Sequence, residues 1–171
     1  MTSVSTSTAG IETLADLLEQ LGGITPDRVR FRPAPGTATE EDVLAIRHSP
    51  ERRLCEVVDG VLVEKAMGFR KSYLALVLAS ILWAFVEPRR LGLVVGADGM
   101  MRLMTGLVRI PDVAFISWDR LPNRRVPTEP LPDVAPDLAV EVLRGCLETL
   151  PEKWPASART ILLPGCRSSG R

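Results

Sequence analysis

The hydrophobic pattern begins with two short amphipathic helices. Apolar residues recur at helical spacing from Ile11 to Leu21, and Gly22-Gly23 ends the pattern. The stretch Thr39-Glu40-Glu41-Asp42 resembles a capping box with acids in the first turn, so a second helix is predicted to start there. The proline-rich residues 25–36 between them predict an extended connection. Both helices are predicted to serve packing.

Two later stretches have the pattern of β-hairpins. Residues 54–65 consist of two apolar runs on either side of Asp59-Gly60, a dipeptide that suits a two-residue type I′ turn. Residues 93–103 repeat this arrangement around Asp98-Gly99. The sequence therefore predicts two hairpins of the same kind.

Between the hairpins, Ser72 to Val86 is almost wholly apolar. A membrane-spanning helix needs about 20 such residues. This run is shorter and is bounded by charged residues, Arg70-Lys71 before it and Glu87-Pro88-Arg89-Arg90 after it. The pattern favours a central helix covered by a sheet, and it predicts no membrane contact.

Two apolar strands each contain one acid. Asp112 lies in the run 110–116 and Glu141 in the run 138–143. Burying an ionised carboxylate is so costly that such a residue is normally paired, protonated or bound to a metal, which suggests a shared cation. The alternative is that Asp112 begins its strand at a solvated edge and Glu141 points out of the sheet. Glu56 is a third acid among apolar neighbours, with a position on the hairpin rim as its alternative.

The order of elements predicts an α/β (α+β) fold, a mixed sheet with a central covering helix. The strands of Asp112 and Glu141 are separated by a long loop, residues 118–136, which is rich in proline and arginine. Long loops are often functional, and Arg120, Arg124 and Arg125 would suit phosphate contacts. Solvated charge is the alternative for these arginines.

Composition narrows the classes of function. The chain has 171 residues, 46% of them apolar, which predicts one globular domain with a substantial core. Lys plus Arg (21) balance Asp plus Glu (21), so a nucleic-acid surface would have to be a local patch. Three cysteines without metal-ligand spacing and one histidine exclude an ordinary zinc site and a histidine triad. A reduced, cytoplasmic setting follows as the default, and residues 1–10 are expected to be a disordered lead.

Three motifs in order resemble the Uma-two-type restriction endonuclease family of the PD-(D/E)xK nuclease superfamily. They are LCEVVDGVLVE at 54–64, IPDVAFI at 110–116 and APDLAVEVL at 135–143. The resemblance extends from about Thr39 to Leu143 within an expected restriction-endonuclease-like domain, residues 11–143.

The resemblance implies an endonuclease that hydrolyses DNA with Mg²⁺ or Mn²⁺. Asp112 and Glu141 would hold the metal, and Glu56 would orient the attacking water or complete the ligand set. The superfamily's lysine stands two residues after the second acid, where this chain has Leu143. The resemblance implies that a lysine from the following helix takes its place, and it leaves a homodimer open.

Residues 144–171 depart from the family pattern. They show no helical or strand period, whereas family members continue with a lysine-bearing helix and a core strand. Read one base out of frame, their codons can encode a family-like tail, and Trp154-Pro155 must then give alanine. We therefore hypothesise a frameshift or truncation after about Leu143, which the nucleotide sequence of the gene would decide.

Loss of the closing strand and of the lysine-bearing helix would leave Val140, Val142 and the central helix uncovered, and it would impair the enzyme. One alternative function is an inactive remnant or a nucleic-acid-binding module that retains the fold. A third possibility is a scaffold whose buried acids are structural.

Overall fold

The chain forms two β-sheets and three α-helices in the part that the computed structural model describes, residues 11–143 and 159–163. The helices are α1 (Leu14–Gln20), α2 (Glu40–His48) and α3 (Phe69–Val86). The strands are β1 (Val29–Arg30), β2 (Cys55–Val58), β3 (Val61–Glu64), β4 (Gly92–Val95), β5 (Met101–Met104), β6 (Leu107–Arg109), β7 (Val113–Ser117), β8 (Leu138–Val142) and β9 (Arg159–Leu163).

The first sheet has the strand order β1-β3-β2-β6-β5, with antiparallel pairing throughout. The predicted hairpin of β2 and β3 is confirmed. Asp59 and Gly60 have φ angles of 52° and 68°, the two positive values that a type I′ turn requires. A Cβ on Gly60 would lie 2.6 Å from the carbonyl carbon of Gly36, so the turn also needs glycine for space.

The second predicted hairpin is wrong. β4 pairs with β7 in the second sheet, while β5 pairs with β6 in the first. Neither Asp98 nor Gly99 has a positive φ, so these two residues do not form the predicted type I′ turn. The turn that reverses the chain lies one strand later, where Gly106 has a φ of 77° between β5 and β6.

The second sheet has the order β4-β7-β8-β9, and β9 runs parallel to β8. This sheet is therefore mixed, as predicted. The strand β9 corrects the expectation that the tail contributes no closing strand. Val140 and Val142 are buried, which corrects the expectation that they would be left uncovered. The rest of the tail and the expected disordered lead lie outside the described residues.

The chain crosses from one sheet to the other at residues 110–112. β6 ends at Arg109 in the first sheet, and β7 begins at Val113 in the second. Pro111 has no N–H to donate to a ladder, so a strand through this point is interrupted. Ile110 and Asp112 are buried at this crossing. Asp112 therefore lies just before β7, where the two sheets meet, and not within a strand as predicted.

Helix α3 packs on the second sheet along one stripe. Ala75 is buried in a cluster with Val113 of β7 and Val140 of β8. Most of the helix is exposed, which corrects the expectation of a covered central helix. α3 is the one described helix long and apolar enough to cross a membrane, a weak indication that rests on length and composition alone.

Candidate active site

Asp112 is fixed between the two sheets by the backbone of β8. Its Oδ2 accepts a hydrogen bond of 2.7 Å from the N–H of Val142, and its own N–H donates to the carbonyl of Val140 at 3.0 Å. The residue is 1% exposed, so the alternative of a solvated strand edge is wrong. The carboxylate is held rigidly beside the strand that contains Glu141.

Two lysines neutralise Asp112. The Nζ of Lys65 lies 2.8 Å from its Oδ1, and the Nζ of Lys71 lies 3.1 Å from its Oδ2. Lys65 directly follows β3 and also donates to the carbonyl of Ile110, while Lys71 comes from the first turn of α3. Burial works to raise the pKa of Asp112, but the two lysines and the Val142 N–H outweigh it and hold this pKa below its usual range. Asp112 is therefore ionised at neutral pH.

Glu141 is the second acid beside Lys65. Its Oε2 is 3.8 Å from the Nζ of Lys65, so both predicted acids converge on the same ammonium group. Burial raises the pKa of Glu141 to about 7, because the opposing effect of Lys65 is weakened by the negative charges of Glu56 and Asp112. The negative charge of Glu141 is therefore balanced less fully by neighbouring positive charge than that of Asp112.

Glu56 braces the crossing segment from β2. Its Oε1 accepts a 2.7 Å hydrogen bond from the N–H of Ile110, and its Oε2 lies 3.0 Å from an Nη1 of Arg109. Glu56 is buried, so the alternative of a rim glutamate is wrong. Burial disfavours the charged form of Lys65, but Glu141, Glu56 and Asp112 together raise its pKa above the ordinary value.

The sequence analysis assigned no role to Lys65 and named Lys71 only as part of the charged boundary of the apolar run. A signal for Lys65 does exist, because strand alternation places it on the same face as Val61 and Val63, where a lysine needs a buried partner. Lys71 stands at the start of an apolar helix, and a lysine in that position is usually a solvated charge. The cations of this site thus come from a hairpin and a helix upstream of both acids.

The donor set fits a hard dication. Among the described residues, no group of three or more His, Cys, Asp or Glu side chains is placed to share a metal, so a metal at this site would have at most two carboxylates, Asp112 and Glu141, as protein ligands. Mg²⁺ is commonly held by one or two carboxylates, with waters and substrate phosphates completing its shell. Asp112 and Glu141 supply oxygens of this kind on adjoining segments.

The loop of residues 118–136 contains two short 3-10 turns and one isolated bridge, between Asp133 and Arg102. Two of its three candidate arginines are paired with acids. Arg120 lies 2.6 Å from Asp137, and Arg124 lies 2.7 Å from Asp119. These pairs favour the alternative of balanced surface charge over a phosphate-binding cluster.

Comparison with known proteins places these features in a family. No curated protein matches the chain. One similar solved structure is the crystal structure of a "putative nuclease belonging to DUF820" from Anabaena variabilis ATCC 29413, with a TM-score of 0.51 and 20% identity. The match covers 61% of this chain and 57% of that one, so the chain spans a little over half the length of that protein and shares its fold.

A family model supports the same assignment from the sequence. The model for Uma2, described as "Putative restriction endonuclease", matches residues 40–149. This range is more than half of the chain and contains Glu56, Lys65, Lys71, Asp112 and Glu141. The chain therefore belongs to the Uma2 family.

Proposed function

We propose that this protein hydrolyses phosphodiester bonds in DNA with the help of Mg²⁺ or Mn²⁺, using Asp112 and Glu141. The observation that carries the proposal is that both acids lie within ion-pair distance of one ammonium group, that of Lys65. Buried carboxylates that share a cation are the donor set from which metal-dependent phosphodiesterases are built.

Each acid has a distinct place in this proposal. Asp112 and Glu141 would hold the metal, which when bound supplies a hydroxide nucleophile and offsets charge on the phosphate. Glu141 has the more accessible carboxylate, with a side chain that is 12% exposed against 1% for Asp112, so it faces the incoming substrate. Glu56 positions the segment of Ile110 and Asp112 and orients the attacking water.

The experiment is a plasmid-nicking assay with the purified protein. We expect nicked and linear products with Mg²⁺ or Mn²⁺ and none with a chelator. The variant Glu141→Gln, which keeps the side-chain shape, should cleave at least ~100-fold more slowly, because it weakens the hold on the metal that stabilises the transition state. The exposed acid Asp98 offers a control, and Asp98→Asn should cleave like the wild type. Cleavage that persists in the chelator would contradict the metal-dependent mechanism.

A second candidate function is DNA binding without cleavage. The observation that favours it is the complete engagement of the Asp112 carboxylate by two lysines and a backbone N–H. If the lysines remain on Asp112, the protein keeps the fold of a nuclease but binds no metal at this site. Salt-dependent DNA binding without nicking in either metal would establish this candidate in place of the first.

We further propose that the protein acts as a cytoplasmic homodimer that pairs through α3. The exposed surface of α3 contains Phe69, Tyr73, Leu76, Ile81, Trp83 and Phe85. Its four aromatic side chains are 52–92% exposed. Together they leave on the order of 500 Å² of aromatic surface in water, a large part of the roughly 800 Å² that each partner of a stable dimer buries. No charged residue lies between Lys71 and Glu87, so a second copy could pack on this surface without burying a charge.

A further inference from the structure

The two lysines at Asp112 differ in their access to solvent. The side chain of Lys65 is 4% exposed and lies among the Ile110 carbonyl, Asp112 and Glu141. The side chain of Lys71 is 16% exposed and reaches Asp112 from the outer side, at its Oδ2. A substrate phosphate arriving from solvent therefore meets Lys71 before it meets Lys65.

We propose that Lys71 is the catalytic lysine of the nuclease reaction and that Lys65 is a positioning residue. This assignment rests on the proposed function. Lys71 would donate hydrogen bonds to a non-bridging oxygen of the scissile phosphate. Lys65 would stay in place as the internal counter-ion of Asp112 and Glu141.

The geometry gives Lys65 little freedom to reach a substrate. Its ammonium donates to Ile110 and contacts Asp112, both of which are almost fully buried. If Lys65 left this position, it would strand charged groups in a low-dielectric interior, which typically costs several kcal/mol. Lys65 therefore keeps the two acids together in the absence of other cations.

Lys71 has both the reach and the surroundings for a phosphate contact. Its flexible four-carbon stem begins in the first turn of α3, which contains no acidic residue. The free N–H groups at a helix N-terminus favour an anion on the same side. Lys71 no longer needs to pair with Asp112 once that carboxylate is neutralised by a dication, and its ammonium can then turn to the phosphate.

Lys71 has an electrostatic role in the reaction and keeps its proton throughout. The water oxygen forms the new bond to phosphorus and its displaced proton passes to solvent, while the ester P–O bond breaks and the leaving alkoxide takes a proton from solvent. The ammonium stabilises the charge that develops on the non-bridging oxygens, a contribution worth roughly 100-fold to 1,000-fold in rate at comparable sites.

The experiment compares Lys71→Gln with Arg70→Gln, which removes the same charge from the neighbouring residue of the same helix. DNA affinity for a short duplex is measured by anisotropy across a salt series with Ca²⁺, and cleavage is measured with Mg²⁺. For Lys71→Gln we expect cleavage at least ~100-fold slower. We also expect the slope of log K against log salt to fall by about 0.9, the share of one phosphate contact.

Arg70→Gln should cleave within a few-fold of the wild type. Lys71→Arg keeps the charge and should restore the wild-type salt slope, which shows that loss of folding does not explain the result. Lys65→Gln should lower the melting temperature more than Lys71→Gln does. The inference is overturned if the wild type cleaves and Lys71→Gln behaves like Arg70→Gln in both assays. If the wild type neither binds nor cleaves DNA, the proposed function itself fails.

Discussion

At the scale of single residues, the chemistry of this site is decided by how the chain buries acids. Asp112 and Glu141 could be predicted from the sequence, because a lone carboxylate in a short apolar run needs a partner. Strand alternation marks Lys65 as a residue that needs a buried partner, but the sequence does not show that this partner is Asp112, which lies in a strand far downstream. Its position beside Asp112 depends on how the two sheets meet. Long-range pairing of this kind leaves little trace in local sequence patterns.

Asp137 provides a test of the electrostatics away from the site. Its Oδ1 lies 2.6 Å from Arg120, and its Oδ2 accepts a 2.7 Å hydrogen bond from the N–H of Ser117. Although burial opposes the shift, Arg120 and Ser117 hold the pKa of Asp137 below its ordinary value of 3.8. As the pH falls, the Asp137 carboxylate is therefore protonated at a higher pH in the unfolded chain than in the folded chain. The ionised carboxylate stabilises the fold above its unfolded pKa, and this stabilisation is lost through the lower folded pKa.

We expect the melting temperature of the wild type to fall more steeply between about pH 5 and pH 3 than that of Asp137→Asn, because the variant has no such proton to bind. Thermal unfolding across this range measures the difference. Asp98→Asn, which changes an exposed acid, should follow the wild type. Parallel curves for the wild type and Asp137→Asn would show that the pair with Arg120 contributes nothing.

At the scale of elements, the two Asp-Gly turns show what local sequence can and cannot specify. Asp59-Gly60 forms its hairpin, and Asp98-Gly99 does not. The difference arises from the strand before the second turn. A Cβ on Gly92 would lie 2.0 Å from the carbonyl oxygen of Ile116, so β4 depends on a close approach to β7. The pairing preference of a neighbouring strand therefore overrides the turn signal, and only the tertiary structure shows it.

Helix α3 gives the prediction at this scale. If a second copy covers its exposed surface, the wild type should sediment as a dimer at micromolar concentration, and Leu76→Glu should weaken the dimer at least ~30-fold by burying a charge in the contact. Analytical ultracentrifugation measures both. Val126 is an exposed apolar residue in the loop, so Val126→Glu is the matched control and should leave the dimer intact. A wild type that stays monomeric over the whole concentration range contradicts the dimer.

At the scale of the whole molecule, the fold class and the mixed sheet could be predicted, because the order of hydrophobic patterns constrains how layers can form. The division into two sheets could not be predicted, because the apolar run through Pro111 looks like one strand. The strand β9 was also missed, since its short apolar run is surrounded by residues with no clear pattern. Both features help to form the site, which lies where the two sheets meet and beside β8, the strand that pairs with β9.

The central claim is that Asp112 and Glu141 bind a dication. The most direct test is calorimetric titration of Mg²⁺, and of Mn²⁺, into the wild type and Glu141→Gln. Glu141 is the better choice for substitution, because removing the charge of Asp112 would take away the ion-pair partner of Lys71 and one of the two partners of Lys65, which destabilises the fold itself. We expect saturable binding in the wild type and an affinity at least ~10-fold lower in Glu141→Gln, since one of two carboxylate ligands is lost. Equal binding by both proteins, or no binding by the wild type, would contradict it.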